Sequence, residues 1–193
     1  YEMLRSLVGS EMCIRDRDVG SGKEISKKPS IHESLSALVF KIATDPFVGK
    51  LAYTRIYSGV LRPGMRVYNS RTDRTERISK VFDMHAKKKT ELSEAGPGEI
   101  IALFGIKNAK TGDTISDPNN RIVLENLIFP EPVISIAIEP RTKADQDKLF
   151  DVLHKLSEED PTFKTHVNKE TGQTLISGMG ELHLEIIIDR MMR

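Results

Sequence analysis

Cysteine is almost missing from this chain. Cys13 is the single one in 193 residues, so neither an intrachain disulfide framework nor a cysteine-based zinc site can form. Long apolar runs are missing too: stretches such as residues 100–104 and 186–188 fall far short of the roughly 20 residues that cross a bilayer. No serine or cysteine sits in a nucleophile motif. His32, His85, His154 and His166 stand alone, and Glu181, His183 and Glu185 are spaced two apart, which on a helix sends them to different faces, so no metal site is expected. Gly20-Ser21-Gly22-Lys23-Glu24 invites a phosphate-loop reading, but Arg17 stands where the first glycine belongs, Glu24 where Ser or Thr would hold magnesium, and no buried strand precedes it. These absences leave no catalytic centre, no nucleotide site and no bound cofactor to expect, in a chain suited to a reducing, cytoplasmic setting.

What is present is an ordinary globular composition, 38% hydrophobic and 30% charged, with a formal net charge of +1 that hides two unlike halves. Residues 35–118 carry 14 Lys and Arg against 9 Asp and Glu, whereas residues 131–193 carry 8 against 12. Different partners are implied for the two halves, and the basic one is the candidate for phosphate backbone.

Residues 1–17 have no caps and no sustained periodicity. They resemble the translation of a sequencing adaptor and are expected to stay clear of any core, with residues 18–34 a polar linker. From residue 35 to 118 the pattern is of short strands. Leu38, Phe40 and Ile42 alternate; Leu51, Tyr53, Arg55 and Tyr57 face away from Ala52, Thr54 and Ile56; Val67, Ile78, Val81, residues 100–104 and Ile115 mark later strands. Arg62-Pro63-Gly64 puts proline and glycine at the central positions of a type II turn, and Gly96-Pro97-Gly98 and Thr111-Gly112-Asp113 punctuate likewise. Many short strands without helices predict a small antiparallel β-barrel.

Residues 119–130 read as a second linker. Beyond it, residues 133–138 form a strand, and Thr142 opens a helix whose stripe is Leu149, Phe150, Leu153 and Leu156, ended by Pro161. Phe163, Thr165 and Val167 alternate as the next strand, Thr171-Gly172 turns, and residues 173–176 make a third. The last segment is a glycine-hinged turn, Gly178-Met179-Gly180, feeding a helix with Leu184, Ile187, Ile188, Met191 and Met192 on one stripe and Glu181, Glu185 and Asp189 opposite. The order β-α-β-β-α predicts an α+β ferredoxin-like unit at residues 131–193, incomplete by its last strand. The unit offers no basic-aromatic run of the kind that stacks RNA bases.

Four segments carry a family resemblance: Gly178-Met179-Gly180-Glu181-Leu182-His183-Leu184, Phe129-Pro130-Glu131-Pro132-Val133-Ile134, Lys143-Ala144-Asp145 and Asp45-Pro46-Phe47-Val48-Gly49-Lys50. Together they resemble the second and third domains of bacterial elongation factor G, the GTPase that moves tRNA and mRNA through the ribosome. The resemblance runs from about residue 34 to the end and implies a fragment of that factor, with a translation-factor β-barrel docking on rRNA and protein of the small ribosomal subunit. It implies a third domain that packs beside the GTPase domain of the same parent chain, in a monomer that needs no membrane. GTP and magnesium would belong to the parent, a GTP hydrolase, and not to this stretch. The family's fusidic acid pocket and switch-facing positions fall on Thr162, His183, Ile187 and Arg190, and the cations offered to rRNA are Arg62, Arg66, Lys87, Lys88 and Lys89, in a basic set that also holds Arg71, Arg74, Arg77 and Lys80. A paralogous ribosomal-protection or release-factor GTPase, and a stand-alone RNA-binding scaffold, remain the alternatives.

Overall fold

The computed structural model describes residues 14–18, 24–45, 48–85, 88–124, 127–140, 142–169 and 171–192. The chain divides into two compact units, Tyr1–Leu127 and Ile128–Arg193.

In the first unit eight strands form one antiparallel sheet. They are β3 (Ser36–Asp45), β4 (Gly49–Ser58), β5 (Arg66–Asn69), β6 (Arg74–Arg77), β7 (Lys80–His85), β8 (Lys88–Glu91), β9 (Ile100–Phe104) and β10 (Thr114–Ser116), in the order β6-β5-β10-β3-β4-β9-β7-β8. The sheet curls into the expected barrel, since Leu61 and Ala95 exchange backbone hydrogen bonds of 2.9 Å, and the Ser79 N–H, between β6 and β7, donates to the Phe104 carbonyl at 2.8 Å. The three glycine turns take the same form. Gly64, Gly98 and Gly112 have φ of 83°, 91° and 95°, each one residue before an N–H that closes a four-residue turn.

The core face of β3 differs from the expected one. Ala37 and Val39 are fully buried while Phe40 is 37% exposed, and only at Ile42 does the expected face turn inward. The cause is a β-bulge: Val39 pairs with Thr54 and Lys41 with Tyr53, so Phe40 is an extra residue and the inward alternation shifts by one. On β4 the alternation holds. Ala52 and Ile56 join the main core, and Leu51 and Tyr53 lie in a second apolar cluster with Phe82, Ala102 and Phe104.

A smaller sheet corrects the expected segmentation. Strands β1 (Ile14–Asp18), β2 (Glu24–Lys27) and β11 (Ile122–Val123) pair in the order β11-β1-β2, with Arg17 opposite Val123 and Asp18 opposite Ile122. The end of the segment read as foreign is therefore a strand, and both segments read as linkers contribute strands. Long-range backbone pairing supplies what local pattern does not. Ile122 and Leu124 are buried, so the first unit continues past residue 118. Leu4, Leu7 and Val8 lie outside the described residues.

The second unit is β12 (Ile134–Ile138), α1 (Lys143–Glu159), β13 (Lys164–Val167), β14 (Thr174–Gly178) and α2 (Glu181–Met192), with sheet order β12-β14-β13. This is the expected ferredoxin-like α+β arrangement. Its core is Leu153, Leu156, Phe163, Ile176, Leu184 and Ile187. Phe150 and Met192, both expected in the stripes, are 42% and 81% exposed. At about 100° per residue, Leu149, Leu153 and Leu156 centre the α1 stripe and leave Phe150 at its side, and Met192 stands off the Leu184–Met191 line for the same reason. Val167, expected to alternate inward, is also exposed.

Candidate functional site

Two of the four switch-facing residues expected from sequence, Thr162 and His183, meet in the second unit through a residue not named for the role, Asp160. Asp160 follows the last residue of α1, and its Oδ1 accepts the Thr162 N–H at 2.8 Å and the Thr162 hydroxyl at 2.6 Å. Its Oδ2 lies 2.9 Å from His183 Nε2. The other ring nitrogen, Nδ1, accepts the Met179 N–H at 3.1 Å, which makes Nε2 the protonated nitrogen of the neutral ring and the donor to Asp160. Burial alone would raise the Asp160 carboxyl, but the hydroxyl and N–H of Thr162 and the His183 ring together hold it below its usual value.

Gly178 makes this approach feasible. A Cβ there would stand 2.7 Å from Leu184 Cδ2 and 2.9 Å from His183 Nδ1, so any larger residue would push the imidazole away. The helix then starts with the Leu184 N–H on the Gly180 carbonyl and Glu181 in its first turn, where a carboxylate complements the helix dipole.

Arg190, two turns further along α2, binds Glu159 at 2.6 Å. Ile187 is 4% exposed and belongs to the core. Thr162 and His183 are thus joined by Asp160, Arg190 is held by the adjacent Glu159, and Ile187 lies beneath. An apolar cavity of ≈ 600 Å³ lies elsewhere in the unit, lined by residues that include Ile138, Leu149, Val152, Ile188 and Met191.

The cations offered to rRNA divide. Arg62 forms an ion pair with Glu94 at 3.0 Å, and Lys89 is bound to Asp45. Arg66 and Lys88 are exposed, and Lys87 lies outside the described residues. Among the described residues there is no group of three or more His, Cys, Asp or Glu that could hold a metal, and no helix is long and apolar enough to cross a membrane.

A curled antiparallel barrel followed by a β-α-β-β-α unit is the architecture of a translation-factor core. Residues 34–118 match the family profile Elongation factor G domain 2, and residues 129–193 match Elongation Factor G, domain III. A crystal structure of a protein from Thermus thermophilus is similar at a TM-score of 0.71 and 30% identity, covering 83% of this chain. This chain spans 24% of that protein's length. The chain belongs to the elongation factor G family, among the translation elongation factors, and carries the family's second and third domains.

Proposed function

We propose that this chain is part of a ribosomal translocase that drives GTP-dependent movement of tRNA and mRNA. The observation that carries the reading is the consecutive match to two domains of one factor, at residues 34–118 and 129–193. In this reading the barrel docks on small-subunit RNA and protein, and the third domain packs against the parent's own GTPase domain. GTP and magnesium are bound outside these residues, and the factor works as a cytoplasmic monomer. Hydrolysis biases how the third domain packs, and rigid-body movement carries the work to the tRNAs. Thr162, His183 and Arg190 would supply the surface of a fusidic acid pocket and Ile187 its floor.

The test is a chimera in which residues 34–193 replace the second and third domains of a bacterial elongation factor G, followed by toeprinting of translocation. The expected result is translocation that fusidic acid inhibits and that His183→Ala makes resistant. Ribosome-stimulated GTP hydrolysis without translocation would instead favour a ribosomal-protection or release-factor paralogue.

A further inference from the structure

The barrel's cations are not equally available. Around β7 and β8 three are matched by a carboxylate, Lys80 with Glu91, Lys89 with Asp45 and His85 with Asp83, and Arg62 pairs with Glu94, which leaves Lys88, among the described residues, as the exposed cation there without one. The β5–β6 hairpin and the loop at residues 105–113 behave differently. They carry six Lys and Arg against three carboxylates, of which Asp113 and Glu76 are turned to internal use and Asp73 stays exposed beside Arg121. Asp113 is buried and accepts Asn69 Nδ2 at 2.8 Å, the Lys110 N–H at 2.9 Å and the Arg71 guanidinium at 2.7 and 3.1 Å. Glu76 Oε2 accepts the N–H groups of Lys107 and Asn108 at 2.8 and 3.2 Å. Asp73 accepts the Tyr68 hydroxyl and faces Arg121, which lies over the Tyr68 ring. Arg66, Arg74, Arg77, Lys107 and Lys110 are left exposed, and none meets a carboxylate among the described residues.

Two features distinguish this surface from scattered solubilising charge. Glu76, which shares its strand face with Arg74, bonds the N–H groups of Lys107 and Asn108, so Arg74, Lys107 and Lys110 gather on one side of the hairpin, while the cross-strand pair Arg66 and Arg77 stands on the other. The loop is also fixed before any partner arrives. Besides Glu76, Arg71 Nη2 holds the Asn108 carbonyl at 2.6 Å and Lys50 Nζ the Lys107 carbonyl at 3.1 Å, so the backbone that carries Lys107 and Lys110 is already ordered. Fixing cations in advance lowers the entropy lost when an anion binds.

We propose that the barrel meets RNA through the β5–β6 hairpin and the 105–113 loop, with Arg74, Lys107 and Lys110 on the phosphates of a duplex, and not through the β7–β8 loop. This rests on the reading of the barrel as an RNA-docking domain. Sequence reasoning grouped the hairpin arginines with the dense Lys87-Lys88-Lys89 run, whereas the 105–113 loop is brought to the hairpin only by the fold.

The experiment is anisotropy of a labelled RNA duplex of about 16 base pairs, titrated with the whole chain over a series of salt concentrations. Each phosphate neutralised contributes about 0.9 to the log–log salt slope on duplex DNA, so R74Q/K107Q/K110Q should flatten the slope by roughly 2 to 3. The count-matched K28Q/K41Q/K88Q should flatten it distinctly less. Circular dichroism and melting of both variants check that the fold is kept, as the exposure of all six side chains leads one to expect. If the wild type binds and the two variants flatten the slope equally, or only the second does, the surface is misassigned while the RNA-docking reading stands. The same holds if the first variant aggregates with its slope unchanged, since its charges would then only protect the β6 edge. No binding by the wild type would overturn both readings. Displacement of the duplex by polyglutamate as readily as by unlabelled duplex would overturn the commitment to RNA.

Discussion

At the scale of single residues, Asp160 is the polar centre of the second unit. Asp160→Asn removes its charge-assisted bonds to Thr162 and His183 and should destabilise that unit by about 1 kcal/mol at pH 7, read from urea melts. The sign of the pH dependence follows from its carboxyl being held low in the folded state. Its contribution is fully present above the unfolded carboxylate value and is lost as pH falls through the folded one. The gap between wild type and variant should therefore be flat from about pH 7 to pH 5 and close below about pH 4. A gap that widens in acid would contradict the assignment. Thr162 and His183 were legible by family resemblance, but Asp160 was overlooked although Asp160-Pro161-Thr162 is a sequence in which an aspartate caps the N–H two residues on. Nothing local announces the Glu159–Arg190 pair, whose members stand 31 residues apart.

Glycines give a sharper residue-scale test, because two with similar backbones differ in their surroundings. Gly49 has φ of 91° with nothing within 4 Å of an added Cβ, whereas Gly105, at 105°, would place that carbon 2.4 Å from Ser79 Oγ and 2.7 Å from Ser79 N. Gly49→Ala should cost about 1 kcal/mol for the backbone alone. Gly105→Ala should cost at least about 1 kcal/mol more, since Ser79 also donates to Phe104 and cannot retreat freely. Equal losses in chemical denaturation would show that the β6–β7 corner yields more easily than its contacts imply.

Among the elements, those with strong local chemistry were read correctly, whereas the short strands β1, β2 and β11, which only long-range pairing creates, were not. The Pro-Gly turns and the two helices follow from fixed φ, positive φ and apolar spacing. Strands β1 and β2 have no such signature, and the β3 bulge reverses the apparent face of a pattern that looks regular in sequence. Edge position sets a further expectation. Among the described residues β12 pairs only with β14, while β9 lies between β4 and β7. Hydrogen exchange should therefore be faster in β12 than in Ile100–Phe104. Slowest exchange at Ile136 in the monomeric chain would refute the strand order.

For the whole molecule, two units with separate cores imply separate stabilities. Among the described residues sixteen buried side chains make the main core of the first unit and six that of the second, and a unit of roughly 60 residues is marginal by surface-to-volume scaling. Calorimetry should show two transitions, the Asp160→Asn substitution lowering only the one that belongs to the second unit. A single transition with equal calorimetric and van't Hoff enthalpies would mean that the units unfold as one.

The neighbours Glu159 and Asp160 hold α2 at two points, Arg190 and His183. These lie seven residues apart, a separation of about 10 Å along the helix axis. One tether would leave the helix a pivot, but two on a common anchor act as a couple, with a lever arm set by their spacing. Tilting of the far end of α2 is then resisted at the end of α1 instead of turning the helix about a single contact. Arg190→Ala would take away the second tether and leave α2 turning on the His183–Asp160 contact alone.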